Sequence, residues 1–391
     1  MNSSAKYKKI VVITSRFPYP LEKGDKLRAY YQIKELAESM DVVLISLTDE
    51  KITATQLEAL NPFCKKIHTF KTNKWINWAF ASLNALTSKP FQVGYFYRRS
   101  IHKKINEIIQ QLEPDHIYAQ LIRTSEYVKN YHACPKTLDY MDALSKGMER
   151  RTKEASLLKK WIFNQEYQRL KQYENAIFEY FEYHTIISRQ DQREIFHKNN
   201  NMITIIPNGV ATSFFEKIEV EIKYDIVFTG NMSYPPNITA AKYIVNNILP
   251  KLPDKTKLLL AGASPHADVK ALENKNVIVS GWVDDIRKSY KEGKIFIAPM
   301  FLGTGLQNKL LEAMALGVPC ITSPLANNAL GAKDGEQILL ASSEEDFIDH
   351  IMFLLSHPTE VERIGKNGTM FVKDNYNWKA TTQKLIELIN V

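Results

Sequence analysis

Short apolar runs alternate with longer stretches of helical periodicity along most of the chain. In the first half the runs are Lys9–Ser15, Asp41–Thr48, Lys66–Phe70, His116–Ala119, Thr137–Tyr140, Thr185–Ser188 and Met202–Ile206. In the second half they are Tyr224–Thr229, Lys257–Ala261, Asn276–Ser280, Ile295–Pro299, Pro319–Thr322 and Gln337–Leu340. Runs of this length, each followed by a segment long enough for a crossover helix, predict parallel sheets built from βα units. The series restarts after Pro207-Asn208-Gly209-Val210, where a proline and an Asn-Gly pair reverse the chain, so a boundary is expected near residues 208–222. The predicted architecture is α/β, with two doubly wound domains at residues 1–210 and 211–375. A last segment, 376–391, carries a helix at about Lys379–Asn390 that is expected to pack back on the first domain.

One segment departs from the rhythm. Residues 146–183 read as continuous helix, rich in basic and aromatic residues such as Arg150, Arg151, Lys159, Lys160, Trp161 and Tyr167. Two readings stay open: a long helix pair covering the first sheet, or a basic amphipathic face that meets anionic lipid. Trp75, Trp78 and Phe80, close to Lys71 and Lys74, belong to the second reading as well.

Composition narrows the picture only in places. A chain of 391 residues exceeds what one core organises, and 45% hydrophobic with 24% charged residues is an ordinary globular balance. Cys64, Cys134 and Cys320 are far apart, which argues against a disulfide framework and against a structural zinc site. The apolar run after the lysine-bearing start is too short for a secretory signal, and no stretch approaches the ~20 apolar residues of a membrane span. A cytoplasmic protein is expected, peripheral at the inner face of the membrane if the lipid reading holds. The net charge of +8 comes with no zinc-finger spacing, RNP-like strand or lysine-rich tail, so no nucleic-acid partner is expected.

The densest chemistry lies between Ile295 and Pro319. A buried strand runs into Gly303-Thr304-Gly305, a helix follows from about Gln307 to Leu316, Gly317 stops it, and a new strand opens after Pro319. The glycines let backbone approach a ligand, and the helix start offers free N–H groups to an anion. Lys309 and Glu312 share one helix face, while Leu310, Leu311, Met314 and Ala315 take the other. One cation for phosphate and one carboxylate for ribose hydroxyls, beside a glycine turn at a strand end, suit a nucleoside diphosphate. A plain surface Lys–Glu pair is the alternative. In the first half, Gly24, Asp25, Lys26 and Arg28 follow the first strand and suit a phosphate or an acceptor, with Asp25 as a simple helix cap the alternative. Asp142, after another strand, is a candidate acceptor contact. Neither domain has a GxGxxG after its first strand, which excludes an ordinary dehydrogenase.

The string Gly305 to Pro319, GLQNKLLEAMALGVP, resembles the nucleotide-sugar motif of retaining family 4 glycosyltransferases with the GT-B fold. Pro207-Asn208-Gly209-Val210 resembles the PNGV preceding their second domain, Gly230-Asn231-Met232 its first loop, and Gly281-Trp282-Val283-Asp284-Asp285 the strand end upstream of the glycine turn. The subgroup it most resembles serves bacterial exopolysaccharide assembly. The resemblance implies two Rossmann-like domains facing a central cleft and a nucleotide-sugar donor. It implies a glycan or lipid-linked acceptor, no cofactor and no metal. It implies that Lys309 holds the diphosphate and Glu312 the ribose, with Gly303, Thr304, Gly305, Leu306, Gln307, Gly230 and Asn231 around the donor. Thr304 stands where the family often has a second glutamate, and Asn231 and Asn237 stand near its usual Arg and Lys. Two alternatives remain from these residues: a nucleotide-sugar epimerase, and a non-catalytic GT-B subunit.

Overall fold

A computed structural model describes residues 7–83, 87–154, 156–301 and 305–391. The chain divides into two compact units, Met1–Pro207 with Thr381–Val391, and Asn208–Ala380. Unit 1 contains strands β1 (Lys8–Thr14), β2 (Met40–Thr48), β3 (Lys66–Lys71), β4 (His116–Gln120), β5 (Lys136–Met141), β6 (Tyr183–Ile186) and β7 (Thr204–Ile205). Unit 2 contains β8 (Tyr224–Thr229), β9 (Leu258–Ala261), β10 (Val277–Gly281), β11 (Gly293–Ala298), β12 (Cys320–Thr322) and β13 (Leu339–Leu340). Each expected apolar run holds one of these strands. The edge strand β7 is shorter than its run because the residues before it, Asn200–Met202, close into a 3-10 turn.

All strand pairs are parallel, in the orders β3-β2-β1-β4-β5-β6-β7 and β10-β9-β8-β11-β12-β13. Each sheet grows outward one way from its first strand and then restarts on the other side. The order therefore reverses between β1 and β4 in unit 1 and between β8 and β11 in unit 2, and such reversals leave a crevice at the carboxyl ends of the strands.

Parallel sheets need cover on both faces, and the alternation along β1 shows how it is met. Val11 and Ile13 enter one core cluster with Val43, Ile45, Ile117, Ile105 and Leu170; Ile10 and Val12 enter another with Val42, Leu44, Tyr118, Ile33 and Leu36. The second cluster also takes in Leu385 and Ile389 of the helix Trp378–Asn390. The helical segment seen in the sequence is two helices, Leu144–Glu154 and Leu157–Phe178, which pack on each other. Their inner residues include Glu174, whose buried carboxylate accepts from Ser145 N at 2.9 Å and Ser145 Oγ at 2.5 Å.

The units divide at Pro207/Asn208 and at Ala380/Thr381, not at 210/211 and 375/376. Val210 N donates to Tyr376 O at 2.7 Å, and a Cβ on Gly209 would lie 2.3 Å from Trp378 N. The entering and leaving segments thus lie side by side within unit 2, where only glycine fits at 209.

Arg28 is corrected by its surroundings. It is fully buried, donates from Nε and an Nη to the two oxygens of Asp139 at 2.8 and 3.0 Å, and from its other Nη to Ile206 O at 2.8 Å. Thr185 Oγ1 donates to Asp139 as well, at 2.8 Å. Arg28 therefore ties the first helix, Gly24–Leu36, to β5 and to the chain beyond β7, and is not open to a phosphate or acceptor. Removing one partner of a buried pair strands the other charge, which costs about 3–5 kcal/mol. Arg28→Met is expected to lower urea-unfolding stability on that scale. Adding Asp139→Leu should recover part of the loss, and a loss under about 1 kcal/mol would contradict the structural role.

Candidate functional site

The polar groups of unit 2 gather at its reversal point. β8 ends in Thr229 and Gly230, and β11 runs through Ala298 toward Met300. The helix Asn308–Ala315 follows the glycine turn, with Gln307 as its N-cap residue. Leu310, Leu311, Ala313, Met314 and Ala315 are buried, which fixes the helix and leaves Lys309 and Glu312 on its other side, half-buried.

Each of these two side chains is held by a different element. Lys309 Nζ donates to Asn237 Oδ1 at 2.5 Å, lies 4.6 Å from the centre of the Phe228 ring and 3.8 Å from Met300 Sδ. Asn237 Nδ2 in turn donates to Asn231 O at 2.8 Å, so the lysine is braced through the loop after β8. Glu312 accepts from Tyr290 Oη at 2.7 Å, and Tyr290 Oη accepts from Thr229 Oγ1 at 2.7 Å. A plain surface ion pair does not describe two residues braced in this way. Burial pushes the Lys309 ammonium down to about 7, against the opposing pull of Glu312. Burial pushes the Glu312 carboxyl up to about 7, against the Tyr290 hydrogen bond and Lys309. A ligand that brings an anion to Lys309 and hydroxyl donors to Glu312 stabilises the charged forms of both groups.

Glycine is required where the backbone crowds this pair. A Cβ on Gly230 (φ +152°) would sit 2.6 Å from Asn237 Nδ2 and 3.3 Å from Lys309 Nζ. A Cβ on Gly262 (φ +140°), at the end of β9, would lie 1.9 Å from Gly230 O.

The sequence-derived donor residues are distributed as follows. Gly230, Lys309 and Glu312 come together. Asn231 contributes its backbone oxygen, while its side-chain oxygen closes a local turn onto Ser233 N at 3.0 Å and Ser233 Oγ at 2.7 Å. Gln307 Nε2 donates to Gly305 O at 2.9 Å, and Leu306 is buried. Gly303 and Thr304 lie outside the described residues. Sequence reasoning missed Tyr290 and Thr229. Thr229 was within reach, as a hydroxyl at the strand end before Gly230, but Tyr290 comes from the helix Ile286–Lys291 and carries no local signal.

In unit 1, Gly24 opens the first helix, and a Cβ there would lie 3.2 Å from Met141 Cε. Asp25 does not cap that helix, whose N-cap residue is Lys23; it accepts from Arg16 at 2.5 Å. Burial acts to raise the Asp25 carboxyl, but Arg16 and Arg123 outweigh it and hold it below its usual value. Asp142 follows β5, and burial together with nearby Asp191 pushes its carboxyl up to about 7. Among the described residues no group of three or more His, Cys, Asp or Glu is placed to hold a metal ion.

Residues 223–357, most of unit 2, match the family model described as Glycosyl transferases group 1. Fold, site and family match define the class: this is a glycosyltransferase of GT-B architecture, with two parallel α/β sheets and a glycosyl transferases group 1 domain in its second unit. Along its length it is 24% identical to an uncharacterised 44.6 kDa protein of the cps region of Klebsiella pneumoniae, over 97% of this chain and 99% of that one. It is 26% identical, over 48% of this chain and 53% of the relative, to the Escherichia coli UDP-Gal:alpha-D-GlcNAc-diphosphoundecaprenol alpha-1,3-galactosyltransferase. Its fold matches Anabaena HepE in complex with UDP and glucose at a TM-score of 0.70, with 14% identity over 97% of this chain and 99% of HepE.

The packing of Gly262 on Gly230 generates a test. Gly262→Ala forces the two strand ends apart, at a cost of about 2–5 kcal/mol from backbone strain and overpacking. Urea unfolding should show that loss, and an alanine variant with wild-type stability would mean that the strand ends are not fixed as described.

Proposed function

We propose that the chain is a retaining family 4 glycosyltransferase that moves a hexose from a UDP-sugar to a glycan or lipid-linked acceptor in cell-surface polysaccharide synthesis. The observation that carries this reading is the braced, desolvated Lys309 and Glu312 pair beside Gly230, inside the segment that matches the family. The choice of UDP is supported by HepE, whose complex contains UDP and glucose, and by the relative named for UDP-Gal. A lipid-linked acceptor is supported by the diphosphoundecaprenol in that relative's name, and polysaccharide synthesis by the cps-region relative.

In this mechanism Lys309 and the first amides of the helix Asn308–Ala315 neutralise the diphosphate, and Glu312 accepts from the ribose hydroxyls. Backbone at Gly305 and Leu306, with Gln307, holds the donor sugar. The acceptor hydroxyl forms its bond to the anomeric carbon on the face from which UDP departs. The bond from that carbon to the β-phosphate oxygen breaks, and the β-phosphate takes the hydroxyl proton. The protein contributes positioning and stabilisation of leaving-group charge, with no protein nucleophile and no metal ion.

The pH dependence follows from the two shifted groups. Glu312 must be ionised to accept from ribose, so UDP affinity rises as pH climbs toward about 7. Lys309 must be protonated to meet the diphosphate, so affinity falls as pH rises beyond about 7. The resulting bell belongs to the pair as a unit. Calorimetric titration of UDP should show it, with Glu312→Gln losing the rising limb and Lys309→Met the falling limb. Lys309→Ala is expected to lower kcat by about 100- to 1,000-fold. Wild-type UDP affinity and turnover in both Lys309→Ala and Glu312→Ala would refute the assignment. Conversion of donor with no acceptor present would favour an epimerase, and UDP binding with no turnover a non-catalytic subunit.

Contact with an anionic membrane completes the proposal. The helix Lys74–Leu83 contains no acidic residue and exposes Trp75 (84%), Trp78 (63%) and Ile76 (51%), while Trp161 and Ile162 are exposed next to Lys159 and Lys160. Exposed tryptophans beside lysines suit the interface of an anionic bilayer. Vesicles containing phosphatidylglycerol should sediment with the wild type and much less with Trp75→Ser/Trp78→Ser. Equal sedimentation of the two would remove this part of the proposal.

A further inference from the structure

Glu312 has two carboxylate oxygens, and the fold gives them different surroundings. Oε2 accepts from Tyr290 Oη at 2.7 Å, while among the described residues no hydrogen bond reaches Oε1. Tyr290 and Thr229 are each 1% exposed, so neither hydroxyl trades its partner for water. Thr229 Oγ1 donates to Tyr290 Oη at 2.7 Å, which leaves the one phenolic hydrogen to point at Glu312. The Tyr290 ring centre lies 5.3 Å from that of Phe296, on β11, and 6.5 Å from that of Phe214, in the turn Thr212–Phe215.

The charged and titratable groups acting on this carboxylate are few. Lys309 stands three positions earlier on the same helix, and Tyr290 reaches in from the helix Ile286–Lys291. Cys320 of β12 lies near Tyr290, and burial pushes its thiol up, so it adds no charge. Burial, and then the Glu312 carboxylate, hold the Tyr290 phenol well above its usual value. The phenol therefore stays a donor throughout the range in which Glu312 titrates.

The arrangement fixes more than a position. The last torsion of a glutamate is soft and roughly two-fold, so an unheld carboxylate turns and offers either oxygen. A carboxylate anchored through Oε2 keeps one plane and presents Oε1, with its two lone pairs, to whatever enters the site. One oxygen with two acceptor positions suits two donors held close together, and adjacent hydroxyls on a five-membered ring are such a pair.

We infer that Tyr290, set by Thr229, is a positioning residue that makes Glu312 selective for a nucleotide with both vicinal ribose hydroxyls over its 2′-deoxy counterpart. The inference rests on the ribose role of Glu312 given under Proposed function and adds the residue that gives this role its selectivity. A 2′-deoxyribose leaves part of a fixed, half-buried acceptor unmet, which is what a hydrogen-bonding site penalises. Without the phenol the carboxylate turns, one hydroxyl suffices, and the discrimination collapses.

Calorimetric titration of the full-length protein with UDP and with 2′-deoxy-UDP, on both sides of about pH 7, is the test. The wild type is expected to prefer UDP by about tenfold or more, the worth of a hydrogen bond to a charged group. In Tyr290→Phe the preference should fall below about threefold. The rising limb of UDP affinity should also move to higher pH, because the lost hydrogen bond had favoured the ionised carboxyl. Thr229→Val keeps the phenol and should show both changes in smaller measure, which covers a poorly folded Tyr290→Phe. In a Glu312→Ala background, Tyr290→Phe should change the preference by less than about twofold, since nothing remains for it to position. A Tyr290 that only supports the fold would weaken both nucleotides alike and leave the limb in place, and that result overturns the inference. So does a wild type that does not distinguish the two nucleotides, or a Tyr290→Phe effect that persists in the Glu312→Ala background. Absence of UDP binding in the wild type overturns both this inference and the reading beneath it. UDP affinity lost in Glu312→Ala, with a preference untouched by Tyr290→Phe and Thr229→Val, overturns this inference alone.

Discussion

A strand in a parallel sheet is reached by a crossover and covered on both faces, and this constraint organises everything polar in the molecule. The successive residues Ile10 to Ile13 are all fully buried, and they feed two different cores in alternation. With both faces spent on apolar contacts, functional groups are left with the loops at strand ends. The two reversals of strand order then decide which ends stand apart enough to receive a ligand: β1 with β4, and β8 with β11. Lys309 and Glu312 belong to the second of these places, and Arg16 and Arg123 to the first.

The two places are finished differently. In unit 2 the charged pair is braced by uncharged partners, Asn237 and Tyr290, which hold position without neutralising charge. The bracing is relayed from one end of β8, since Thr229 supports Tyr290 and the loop beyond Gly230 supports Asn237. In unit 1 Arg16 is paired with Asp25, and Arg123 lies in electrostatic reach of Arg16, Asp25, Asp142 and Arg151.

The strands were legible because burial on both faces writes nearly continuous apolar runs, as in Ile10–Ile13 or Ile295–Ala298. The helix with Lys309 and Glu312 was legible because one face is apolar and glycines bracket it. Arg28 misled for a physical reason. A basic residue in the first turns after a strand looks the same in sequence whether it meets a ligand or a buried aspartate, and Asp139 stands 111 positions away. Tyr290 and Arg123 escaped for the same reason, since their significance lies in partners brought by other crossovers. Asp142 was chosen from its place at a strand end, but Gln92 and Phe96, which contact Arg123, sit on the short helix Phe91–Phe96 with nothing in its pattern to mark them.

The helix Trp378–Asn390 begins in unit 2 and ends with Leu385 and Ile389 in a core of unit 1. Synthesis on the ribosome runs in one direction, so every residue of unit 2 is made before those two side chains exist. At 5–20 residues per second the delay is on the order of tens of seconds. Through that interval the first sheet keeps an apolar strip beside Ile10, Val12 and Tyr118 that only the last turns of the chain can cover. The unit made first is thus the unit completed last, and a nascent chain depends on its second half folding promptly, or on a chaperone shielding the strip, to avoid association in between.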